Sequence, residues 1–208
     1  MRRCVTLVLA LAFCLPVMAQ DADALWKMMQ TGNLTFMAGD ISYKDLDVER
    51  KELVNGQQPP VLILACSDSR VPPELIFNQS LGALFVIRVA GNVADDFGLA
   101  SIEYAVTREP QWTKLIVVLA HEKCGAVEEA MKHEDPPTPP LVALVDRIRR
   151  SFVVGQTDFA SAIKANAKAS AAWLTAASPI VRRAVMDKRV KIISAYYELG
   201  SGAVTVIE

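Results

Sequence analysis

The sequence predicts an α/β fold: a parallel-core β-sheet flanked by helices on both faces, with an N-terminal helical arm and a C-terminal β-hairpin. Three observations carry this expectation. The runs at 61–65, 83–91 and 114–120 are almost continuously apolar, the pattern of strands buried on both faces. The segments between them have helical periodicity, and strands alternating with helices indicate a parallel sheet. The last stretch, "VKIISAYYELGSGAVTVIE" (190–208), reads as strand, Gly-rich turn, strand.

The elements follow in order. Residues 21–40 read as a helix with a stripe at Leu25, Met28 and Met29 and a stop near Gly39. A loop at 55–60 leads into the first strand, 61–65. "VPPELIF" opens a short helix with Pro72 and Pro73 near its start, where a missing N–H does no harm. The second strand, 83–91, ends at Gly91-Asn92, and a helix capped by Asp95 or Asp96 follows. The third strand, 114–120, hands over to the helix "CGAVEEAMKH". The Pro-rich run at 134–140 reads as a loop within the domain. Two amphipathic helices (141–153 and 158–178) come next, and another begins at Ser178-Pro179.

At 208 residues and 52% hydrophobic content, the chain has enough apolar material for one α/β core. Its formal charge is −1, with acids and bases interspersed, so no nucleic-acid partner is expected. The first residues have the plan of an export signal: "MRR", then the apolar "CVTLVLALAFCLPV", then small residues before Gln20. The apolar run is short for a membrane span of about 20 residues. The expected organisation is a cleaved signal peptide, 1–19, and a single domain, 20–208, in the bacterial periplasm. No membrane association is expected after cleavage.

Cys4 and Cys14 fall in the signal, leaving Cys66 and Cys124. Two cysteines in an oxidising compartment can pair as a disulfide. That reading does not explain His121 three residues before Cys124, nor Asp68 and Arg70 beside Cys66. In a parallel sheet, ligands bind at the carboxyl ends of strands, where Cys66 and His121 both fall. The His-x-x-Cys spacing places His121 and Cys124 at the first turn of a helix. Thiolate and imidazole suit tetrahedral zinc, and Cys66, His121 and Cys124 make three ligands. The fourth position takes water in a catalytic site, or Asp68 in a closed one. Arg70, on the same face of an extended segment, can hold Asp68 off the metal. Spacing alone leaves catalytic and structural zinc open.

The ordered motifs "ACSDSRVPPELIF", "LGALFVIRVAGN", "SIEYAV" and "HEKCGAV" together resemble the β-class carbonic anhydrases. The likeness runs from about Gln57 to Val127 and resumes at "NAKASAAWLTAASPIVRRAV" and "AYYELGSGAV". It departs at Asn78, Ser80, Ala83 and Ala120, none of them a candidate ligand.

The resemblance implies one zinc ion per chain, held by Cys66, His121 and Cys124, with an Asp68–Arg70 pair beside it. It places Gln57, Phe85 and Tyr104 near the substrate pocket, with Gly125 contributing backbone. It implies reversible hydration of carbon dioxide to bicarbonate and a proton, and assembly as a homodimer or homotetramer. Catalytic zinc lowers the pKa of water from about 15.7 to about 7, making hydroxide available for the attack. Alternatives on the same residues are a hydrolase of carbon disulfide or carbonyl sulfide and a non-catalytic zinc-stabilised binding module. His133 is a minor candidate for a proton shuttle, against the ordinary reading of a solvated surface His.

Overall fold

A computed structural model of the chain describes residues 21–40, 45–108, 112–132, 134 and 136–208. The signal segment, 1–19, and His133 lie outside the described residues. The strands β1 (Val61–Ala65), β2 (Leu84–Arg88), β3 (Leu115–His121), β4 (Lys191–Tyr197) and β5 (Val204–Val206) form one sheet in the order β2-β1-β3-β4-β5. The first four strands pair in parallel, and β5 returns antiparallel to β4.

Alternation along the central strands feeds two cores. Leu62, Leu64, Ile116, Val118 and Ala120 face one side of the sheet, and Val61, Ile63, Ala65, Leu115, Val117 and Leu119 face the other. The first side is covered by α4 (Asp96–Val106), α5 (Gly125–Met131), α6 (Pro139–Arg149), α7 (Phe159–Ala177) and α8 (Pro179–Met186). The second is covered by α1 (Ala22–Met37) and α3 (Pro73–Ile76), which bury Leu25, Met29 and Ile76. Every residue of β1 and β3 is buried, which is why these strands read as unbroken apolar runs.

Caps set the helix starts. Asp21, Asp95, Asp158 and Ser178 each accept a backbone N–H three residues on. Asp95 therefore caps α4. The Pro-rich segment expected as loop through residue 140 already enters α6 at Pro139, since proline suits a first helical turn. The second strand is shorter than the apolar run. It stops at Arg88, and Gly91 at φ 67° turns the chain away. Helix α2 (Leu46–Glu52) buries no residue and so has no apolar stripe to betray it.

The N-terminal helix packs as a layer on its own chain. Met29 is fully buried within its own chain, and Trp26 packs edge-on to Phe77 at 6.3 Å. Gly32 is required there, because a Cβ would lie 1.9 Å from the Phe77 carbonyl oxygen. The buried Asn33 amide donates to the carbonyls of Ile76 (3.1 Å) and Gly202 (2.8 Å) and accepts from Val204 N–H (2.9 Å). Asn33→Ala strands these buried backbone groups. It should lower unfolding free energy by about 1–3 kcal/mol, read as a lower urea midpoint at constant slope. An unchanged midpoint would show that this tie adds nothing.

Candidate metal centre and active site

The strand order makes a crevice. The connection leaving β1 runs through α3 on one side of the sheet, and the connection leaving β3 runs through α5–α8 on the other. Adjacent strands whose connections diverge define a switch point, where ligands bind outside the carboxyl ends. Cys66 is the residue after β1, His121 ends β3, and Cys124 is the N-cap of α5. Their ligand atoms lie within 4.8 Å of one another, and all three residues are buried.

His121 therefore belongs to the strand, not to a helical first turn. Its pairing with Tyr197 of β4, and the Glu122 N–H bond to the Tyr197 carbonyl (2.8 Å), extend β3 one residue further than the apolar run suggests. Lys123, at φ 52°, makes the turn between His121 and Cys124.

Asp68 and Arg70 are neighbours of this cluster. The Asp68 carboxylate accepts from Arg70 Nε (2.9 Å), Nη2 (2.7 Å) and backbone N–H (2.9 Å). These bonds, led by the guanidinium, hold Asp68 down at about 2. A carboxyl depressed in the folded state contributes stability that is fully present above about pH 4 and lost as pH falls through its folded value. Asp68 is thus ionised throughout the neutral range. Its Oδ2 lies 3.9 Å from His121 Nε2, while the Arg70 guanidinium also donates to the Lys123 carbonyl (3.3 Å).

The cluster has the chemistry of a metal site. Cys66 and Cys124 are free thiols with sulfurs 4.0 Å apart, the geometry of two ligands rather than of a disulfide. Hydrogen bonding from Cys124 lowers the Cys66 pKa. Donation to Cys66, then burial, pushes Cys124 up, so the pair gives up its protons one at a time. His121 Nδ1 is 2.9 Å from the Glu122 carbonyl. Donation there fixes the tautomer that leaves Nε2 unprotonated. That fully buried Nε2 has no hydrogen-bond partner among the described residues. An unpartnered buried acceptor facing two thiols fits a zinc ion.

Two residues that the sequence reading did not assign to the site support the cluster. Arg88, the one cation on β2, donates to the carbonyls of Cys66 (3.0 Å) and Asp68 (2.5 Å). Gly91 N–H points to Cys66 Sγ at 3.3 Å. The available signals were an Arg ending an apolar strand and a Gly-Asn pair directly after it.

Within one chain Gln57, Phe85 and Tyr104 lie away from the cluster, while Gly125 lies beside it. Phe85 pairs with Leu62, three residues before the end of β1, or about 10 Å along the strand. Phe85 stacks with Tyr104 at 6.3 Å. Tyr104 and Gln57 line one hollow of about 620 Å³ with Arg108 and Trp112. Gly125 is the first residue of α5, beside Cys124, where a side chain would meet nothing within 4 Å in this chain. A larger hollow of about 890 Å³, at the opposite ends of β3 and β4, shares no residue with the cluster.

Comparison with known proteins agrees with this geometry. Residues 61–204 match the family model for carbonic anhydrase. Over 187 residues the chain is 36% identical to carbonic anhydrase 2 of Mycobacterium tuberculosis, spanning 86% of this chain and 89% of that one. Over 139 residues it is 40% identical to a carbonic anhydrase of Mycolicibacterium smegmatis, spanning 64% of this chain and 66% of that one. Its fold superposes on a β-carbonic anhydrase of Coccomyxa with a TM-score of 0.69, at 22% identity over 90% of this chain and 86% of that one. It matches a tetrameric β-carbonic anhydrase of Sordaria macrospora equally well, at 22% identity over 89% of this chain and 97% of that one. The chain belongs to the carbonic anhydrase family, in its β class.

Cys124→Ser tests the ligand set. The variant should lose most of its bound zinc, measured by metal analysis of the purified protein. Full zinc content would remove Cys124 from the ligands.

Proposed function

We propose that this carbonic anhydrase interconverts carbon dioxide and bicarbonate at a zinc ion held by Cys66, His121 and Cys124, with Asp68 and Arg70 as its working pair. The observation that carries the proposal is the position of Asp68. Its carboxylate is committed to Arg70 rather than joined to the Cys–His–Cys cluster, yet it borders that cluster. A zinc ion in the cluster supplies Lewis acidity, which brings the pKa of water to about 7.

The chain's own groups do the rest. Asp68 Oδ2, ionised at every working pH, is the acceptor that takes a hydrogen bond from the attacking water and orients it. Arg70 fixes that acceptor by a two-pronged grip and keeps it charged. Arg88 pins the loop carrying both Cys66 and Asp68, so the two move as one piece. The buried walls of β1 and β3 keep bulk water from the far side of the cluster.

The mature enzyme, beginning at Gln20, works in the periplasm as a homo-oligomer. Two things support assembly. The structurally similar Sordaria macrospora protein is tetrameric. The Gln57, Phe85 and Tyr104 group is remote from the cluster of its own chain, so it can line a site only if a neighbouring copy presents it. Mass and sedimentation of the exported protein check this: a chain starting at Gln20, larger than a monomer at micromolar concentration. A monomer alone would refute the assembly.

Asp68→Asn tests the reaction. It keeps the shape and removes the charged acceptor, so zinc content and fold should persist while hydration slows by about 10–100-fold. An undiminished rate would exclude the role given to Asp68. Loss of zinc would make Asp68 a ligand instead.

A further inference from the structure

The metal cluster is tied to a helix that contributes no ligand to it. Asn166 lies in the middle of α7, is 1% exposed, and sits on the face packed against the sheet. Its Nδ2 donates to the Gly91 carbonyl at 2.7 Å. The amide N–H of that same Gly91 points to Cys66 Sγ at 3.3 Å. The two contacts engage the two sides of a single residue, so the position of the asparagine controls the direction of the N–H.

The Asn92 N–H bond to the Val89 carbonyl (2.9 Å) closes the turn itself. Gly91 holds φ 67°, a left-handed conformation suited to glycine. A Cβ there would stand 2.7 Å from Ile148 Cδ1. The turn is thus pressed between α6 and the end of β1, with a hydrogen bond from α7 setting its orientation. A lone amide buried in an alanine-rich helix needs a reason, because an unpartnered buried polar group is costly. Here its partner is a backbone carbonyl next to a metal ligand.

The geometry points to Asn166 as a positioning residue that, through Gly91, sets the electron density on the Cys66 sulfur and hence the donor strength of that ligand. An N–H bond to a thiolate stabilises its charge and withdraws density from it. Two thiolates make this site electron-rich, and a weaker sulfur donor leaves a bound metal a stronger Lewis acid. This inference rests on the metal-site reading above, that Cys66 is a ligand.

The test replaces zinc with cobalt(II) in the full chain, because thiolate-to-cobalt absorption reports sulfur electron density. Asn166→Leu keeps comparable bulk and removes the donor. Its thiolate band should move to lower energy, the direction expected of a sulfur that has lost an N–H bond and become more electron-rich. The unfolding midpoint of the metal-free chain is read alongside, since a purely structural residue would move only that. Asn166→Ser, too short to span the same distance, should shift the band in the same direction and serves if Asn166→Leu does not fold. A parent lacking any thiolate band would defeat the metal-site reading itself. A parent with the band, and a folded variant with the band unmoved, would overturn the role of Asn166.

Discussion

The in-register parallel pairing of β1 with β3 is the constraint on which the site depends. Ala65 stands opposite Leu119, so Cys66 leaves the sheet one step before His121 does. A slip of one residue would exchange the two faces of β1 and drive Leu62 and Leu64 into the wrong core. Burying each such side chain contributes about 1.5–3 kcal/mol, so the register is held by several of them at once. Ligand geometry is therefore a by-product of core packing, and no separate device is needed to bring Cys66 near His121.

Charge is arranged on the same logic. The thiols lie at the end of a nearly all-apolar sheet, where an isolated charge would be expensive. The protein surrounds them with backbone N–H groups and guanidinium groups. Gly91 serves Cys66, and the amides of Val127 and Ala126 oppose the upward push on Cys124. Arg88 works on backbone carbonyls, while Arg70 grips the Asp68 carboxylate beside the cluster and also reaches the Lys123 carbonyl. The two arginines are not interchangeable, since one shapes a loop and the other governs an ionised side chain.

The parts that were legible in sequence are those governed by local pattern. β1 appears at its full length because both its faces are apolar, and α1 and α4 appear through their stripes and caps. The Cys66, His121 and Cys124 cluster was legible because a Cys or His at the end of an apolar strand is out of place, and the His-x-x-Cys spacing adds Cys124. What escaped depends on partners distant in the chain. β4 carries His121 into the strand through Tyr197, and α2 has no buried face to create periodicity. Arg88 looks like a solvated strand end until its carbonyl partners are known. Asn166 looks like any polar residue in an alanine-rich helix, because its partner is 75 residues away. The placing of Gln57, Phe85 and Tyr104 rested on resemblance, and one chain alone does not bring them to the cluster.

The Asn33 clasp has a consequence for the order in which the molecule can be completed. It joins α1 to the turn and strand that close the sheet, across sequence separations of 169 and 171. During synthesis the Asn33 amide can meet the Ile76 carbonyl early, but its bonds to Gly202 and Val204 wait until the final residues have emerged. Closing so long a loop is slow relative to local contacts. The nascent protein can therefore cover Leu25 and Met29 with β1 and α3 early, while the last ties of this layer, to the turn and strand that close the sheet, form only when the carboxyl terminus arrives.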